Sequence, residues 1–108
     1  MDSTVSTLTA LFNRIPRRHS LENVTDIRNI LNEYENILIA IEALNPFYEK
    51  NIPPFFNDLD TIRDAIKKST DNKASKKNKD SFFDEASGLL KDSIDSMIRL
   101  YDDGNRTD

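Results

Sequence analysis

The stretch SLENVTDIRNILNEYENILIAIEALNP, residues 20–46, decides the fold. Within it Val24, Ile27, Leu31, Tyr34, Leu38 and Ile41 recur at alternating intervals of three and four, the spacing of a helix-packing seam. Ile30, Ile37 and Leu44 form a second line beside the first. At 100° per residue these nine side chains cover an arc of about 160°, wider than the stripe of a helix with a single neighbour. Ser20 begins the helix as an N-cap and Asn45-Pro46 ends it. At roughly 25 residues and 1.5 Å per residue it is nearly 40 Å long. The spacing therefore predicts a long central helix in contact with two others.

On the N-terminal side, Val5, Leu8, Leu11, Phe12 and Ile15 share one face of a short helix from about Ser3 to Asn13, with Asp2 or Ser3 as its cap. Pro16 stops that helix, because it lacks an amide donor and disfavours helical geometry at Ile15. Arg17, Arg18 and His19 connect it to the next. On the C-terminal side, Asn45-Pro46 and Ile52-Pro53-Pro54 bracket a segment suited to one helical turn. A third helix follows from Pro54 to Lys68, and its narrow stripe of Phe55, Leu59, Ile62 and Ile66 predicts a place on the surface of the bundle. Residues 67–79 hold six of the eight lysines and no large apolar side chain, which predicts a flexible basic loop. Asp80 is the expected cap of a fourth helix reaching Tyr101. Its apolar residues, from Phe82 and Phe83 through Leu89 to Tyr101, occupy about half the circumference. Gly88 falls on its polar side, Gly104 is placed to end it, and residues 104–108 read as a disordered tail. The expected architecture is all-α: an antiparallel helical bundle of four helices, with a short first helix and long second and fourth ones, in a single domain over residues 1–103.

Composition narrows the chemistry. The 108 residues include no Cys, no Trp, one His and two Gly. Thiolate metal clusters, Cys nucleophiles and disulfide scaffolds are excluded, and so are glycine-rich phosphate loops. A chain of this length removes about 65% of its extended surface from water, enough for a core without cross-links. No apolar run approaches the roughly 20 residues of a membrane-spanning helix, and the start resembles no signal peptide. The expectation is an intracellular protein, cytoplasmic, or nuclear if the source is eukaryotic, without a membrane partner.

Charge is unevenly distributed. The formal net charge is −4, yet residues 67–79 carry six Lys and one Asp, or +5, which leaves nine basic and 18 acidic residues, or −9, elsewhere. Lys67, Lys68, Lys73, Lys76, Lys77 and Lys79, together with Arg14, Arg17 and Arg18, are candidate contacts to a polyanion such as nucleic acid. No aromatic side chain is interleaved among the lysines, so bases have nothing to stack on there. Arg17-Arg18-His19-Ser20-Leu21 has the form read by basophilic protein kinases, and a phosphate on Ser20 would meet the start of the second helix.

Catalytic and metal-binding groups are sparse. His19 is the one side chain suited to general base work near neutral pH. Arg14 and His19, five apart in a small helical chain, resemble the Arg and His pair of the HEPN ribonucleases, which would imply RNA cleavage; here Pro16 separates them and His19 lies in a connection. Asp60 and Asp64, like Glu22 and Asp26, share a helix face, but each pair lacks the further oxygens a hard cation needs. No catalytic residue, metal, cofactor or small-molecule substrate is expected.

The remaining signal is apolar. Ile39 stands apart from the main arc of its helix, and Phe47, Tyr48, Phe55 and Phe56 cluster around three prolines. Faces broader than a small bundle buries predict docking onto another helix or a second copy. The expected role is a non-enzymatic protein interaction module, a small subunit or a regulator that inhibits its partner. Its contact residues would be Ile39, Phe47, Tyr48 and Phe56, with Phe82 and Leu89 behind them; polyanion binding is the alternative.

Overall fold

The computed structural model describes residues 3–105, and every regular element among them is an α-helix. In chain order these are α1 (Ser3–Arg14), α2 (Leu21–Glu42), α3 (Pro46–Asn51), α4 (Pro53–Ser69) and α5 (Lys76–Asn105). The five-helix count exceeds the expected four because the turn between Pro46 and the Pro53-Pro54 pair closes as α3. Asn45 caps α3 through its Oδ1, which accepts the Tyr48 amide at 3.0 Å, and Pro46 occupies the first position, where a missing amide costs nothing.

The start of α2 is as expected: the Ser20 hydroxyl accepts the Asn23 amide at 3.0 Å. Its end comes earlier. The amides of Ala43 and Leu44 tighten the last turn onto Ile39 and Ile41, so Leu44 leaves the expected inner line and is 58% exposed. A larger correction concerns residues 67–79. Lys67 and Lys68 lie in the last turn of α4, and Lys76, Lys77 and Lys79 in the first turn of α5. The connection is thus the six residues 70–75, with Lys73 its one lysine. Ser75, not Asp80, starts α5: its hydroxyl accepts the Asn78 amide at 3.1 Å and its carbonyl the Lys79 amide at 2.9 Å. At the other end α5 runs through Gly104 to Asn105, past the expected stop. Residues 106–108 of the expected tail, and Asp2 as a cap, lie outside the described residues.

The helices form a body of 52 × 24 × 17 Å. α4 and α5 share the largest interface and run antiparallel, with Lys68 over the Phe82 ring near their connection and Asp58 on Ser93 further along. α4 is therefore a main packing partner, not the peripheral helix its narrow stripe suggested. α1 packs on α5 and α2, and α2 on α1, α3 and α4. Apolar side chains from all five helices and the turns between them form one core. At the α3 end, Tyr48 is buried, stacks on Tyr101 with ring centres 5.6 Å apart, and donates a 2.7 Å hydrogen bond to the Tyr101 carbonyl. Gly104 lies directly against that ring, where any Cβ would overlap it.

Candidate functional site

Two chain connections meet at one end of the molecule. The turn after α1 carries Arg17, Arg18 and His19, and the first turn of α5 carries Lys76. These residues line one open cleft of about 420 Å³ with Asp80 and Asp84. The His19 ring seats the turn there, edge-on to Phe83 with centroids 5.6 Å apart and with Nδ1 3.5 Å from an Asp80 oxygen. Ser87 on α5 fixes the same turn by donating to the Pro16 carbonyl at 2.9 Å, and the Asn23 side chain holds the Arg18 carbonyl at 2.7 Å. Arginines some sixty positions from the lysine in sequence thus share a cleft with it.

A second hollow at the α4 to α5 connection is lined by Lys67, Lys68 and Lys73 with Asp64 and Asp71. Lys77 and Lys79 lie in the adjoining first turn of α5. Not all nine candidate cations stand equal. Arg14 is paired with Glu33 at 3.0 Å and Lys68 with Asp64 at 3.2 Å, which diminishes what each offers an incoming anion. Arg17, Arg18, Lys67, Lys73, Lys76 and Lys77 are exposed. The N-termini of α2 and α5 lie at this end together with the C-termini of α1 and α4, so the helix dipoles largely offset one another and the side chains set the local charge.

The apolar candidates fare differently. Tyr48 is 1% exposed and belongs to the core, which removes it from any docking face. Phe47, Phe56 and Leu89 are half-buried against that core, and Phe82 is half-buried beneath the Lys68 ammonium. Ile39 alone of the six is open, at 52%. They do not converge: Phe82 lies by the α4 to α5 connection, whereas Phe47 and Tyr48 lie by Tyr101 near the far end of α5. The physical reason is that a 30-residue α5 gives the wide apolar arcs helical partners along much of its length. Leu21 and Leu44, at 85% and 58%, are the other large apolar residues left exposed among the described residues.

A polar relay runs from the core to the surface, where it ends at exposed Asp58 in a cleft of about 180 Å³ lined by Asp58, Thr61, Leu89, Asp92, Ser93 and Ser96. The Asp58 carboxylate can only accept, so the 3.1 Å contact requires the Ser93 hydroxyl to donate to it; Tyr34 then donates to Ser93 at 2.8 Å. Burial pushes the Tyr34 hydroxyl well above its ordinary value, with the Asp58 charge adding to the effect and the Ser93 hydrogen bond opposing it. Tyr34 is thus held protonated and acts as a donor. Sequence reading missed this relay. A serine at position 93, among the core positions Leu90, Ile94 and Met97 of α5, was the available signal, because a hydroxyl buried there needs a partner.

Arg14 and His19 have different partners, Glu33 and Asp80, and do not form a pair with each other. Among the described residues no three His, Cys, Asp or Glu side chains converge on a point that would hold a metal, and no helix is long and apolar enough to cross a membrane. No family model, curated protein or solved structure matches the chain.

Proposed function

We propose that the protein is a non-enzymatic helical module that binds a polyanion, nucleic acid in the first instance, at its basic end. In this reading α1, α2, α4 and α5 are the members of an antiparallel four-helix bundle, with α3 as a bridge. The observation that carries it is the cleft in which Arg17 and Arg18 meet Lys76, together with the hollow of Lys67, Lys68 and Lys73; in each the three cations outnumber the two carboxylates, Asp80 and Asp84 in the first and Asp64 and Asp71 in the second. Guanidinium and ammonium groups gathered from two connections match the spaced charges of a phosphate backbone. The three rings His19, Phe82 and Phe83 at this end are occupied internally, His19 against Phe83 and Phe82 under Lys68, so contact is to phosphates and not to bases. The negative remainder of the molecule limits the affinity and orients the approach.

The test is a titration of labelled single- and double-stranded oligonucleotides at two salt concentrations. Neutralising three or four phosphates implies an affinity loss between 50 and 200 mM salt of about 40- to 150-fold for the double strand and about 20- to 50-fold for the single strand. Replacing Arg17 and Arg18 together by Ala lowers both affinity and salt slope, with little preference between sequences. Absence of salt-sensitive binding by the unaltered protein overturns the proposal.

The second reading, docking on a protein helix or on a second copy, is favoured by one observation, the exposure of Ile39 and Leu44 near the end of α2. Its test is the apparent mass of the protein, diluted and concentrated, with Ile39→Asp as the variant that abolishes association.

A further inference from the structure

We propose that Ser20 is a phosphorylation site for a serine/threonine kinase that selects two arginines ahead of its target. Two hydroxyls in the chain follow paired basic residues in the same register: Ser20 after Arg17-Arg18-His19 and Thr70 after Lys67-Lys68-Ser69. The fold separates them. Ser20 is exposed in extended backbone, at φ −159° and ψ 161°, in a six-residue stretch outside any helix. A kinase cleft takes its substrate extended; Ser20 itself already has that backbone, while the chain bends at Arg18. Thr70 caps the end of α4, donates its hydroxyl to the Lys67 carbonyl at 2.8 Å, and is followed by an acid, Asp71. Ser69, beside it, is fully buried.

The second independent observation is Leu21. It is the most exposed large apolar residue among those described, at 85%. An apolar side chain directly after the acceptor is the remaining part of the recognition pattern, and here it projects into solvent where an apolar kinase pocket can take it. Arg17 and Arg18 are exposed as well, available for the paired carboxylates such kinases present. Seating Ser20 and Leu21 requires the first turn of α2 to open and the two Asn23 bonds, to the Ser20 hydroxyl and the Arg18 carbonyl, to break with it; terminal turns are the least stable part of a helix.

In the reaction Ser20 Oγ attacks the γ-phosphorus of ATP. The new O–P bond forms as the bond from that phosphorus to the bridging oxygen breaks, ADP departs, and the hydroxyl proton passes to the kinase's catalytic carboxylate. The product carries about two negative charges at the N-terminus of α2, two residues along the chain from Arg18, where the helix dipole and the neighbouring guanidinium groups favour them.

The experiment incubates the full chain with Mg-ATP and an arginine-directed kinase shown to be active on a reference peptide, and reads intact mass and fragment masses. One phosphoryl group per chain, mapped to Ser20, is expected. Ser20→Asn keeps a capping side chain, so it folds with unchanged helical content and takes up none. Replacing Arg17 and Arg18 by Ala, or Leu21 by Ala, slows incorporation at least about tenfold, the effect of losing one charge-assisted or apolar contact. An active kinase that leaves Ser20 unmodified, a phosphoryl group placed on Thr70 instead, or equal incorporation into Ser20→Asn overturns the proposal.

Discussion

The two glycines of the chain have opposite surroundings, and this makes them a matched test. Gly88 lies on the exposed face of α5, with open space where a Cβ would stand. Gly88→Ala therefore stabilises, by about 0.5–1 kcal/mol, through helix propensity alone. Gly104 has the same backbone preference, but a Cβ there meets the Tyr48 ring, which is pinned by its stacking on Tyr101 and its hydroxyl bond. Gly104→Ala lowers stability by about 1–2 kcal/mol, overpacking outweighing propensity. Thermal melts of the two variants shift in opposite directions. Tyr34 supplies a pH dependence. Its folded value is raised, so its contribution is complete below the unfolded value of 10.0 and is lost as pH rises above that point. Stability accordingly falls in the alkaline range, and Tyr34→Phe flattens that fall while costing about 1 kcal/mol at neutral pH. Denaturant midpoints at pH 8 and above pH 10 check both.

Among the elements, α5 departs most from its sequence reading. A lysine-rich run looked too polar to order, yet Ser75 caps it and the remainder of a 30-residue helix carries it. Helix formation is cooperative, so a first turn without apolar contacts is held by the turns that follow. Removing the cap with Ser75→Ala costs about 0.5–2 kcal/mol, and amide exchange rises first in residues 76–79. Ser20 and Asn45 were legible as caps because each directly precedes an apolar helical pattern or a proline. Ser75 precedes lysines, which carry no period, and Asp80, the nearest acid before the apolar run, stood out instead. It lies one turn into α5, opposite His19.

At the scale of the whole molecule, charge and apolar surface are arranged differently than composition suggests. The wide apolar arcs of α2 and α5 are covered by α1, α3 and α4, which leaves three large apolar side chains exposed among the described residues. The corresponding prediction is a single-chain mass by ultracentrifugation at micromolar concentration; a doubled mass that Ile39→Asp returns to the single-chain value would place a second copy on the Ile39 and Leu44 end. Periodicity, the Ser20 cap and the prolines by themselves determined that the chain is helical, where α2 begins, the start of α4 to within one residue, and which residues form most of the core. Burying an apolar stripe is the same demand whatever covers it, so those features are legible locally. Which stripes face each other, the assembly of Arg17, Arg18 and Lys76 into one cleft, the Tyr34, Ser93 and Asp58 relay and the packing of Gly104 on Tyr48 were decided by the tertiary structure alone. Each joins residues thirty or more positions apart, and such a contact depends on the relative placement of whole helices, which no local pattern encodes.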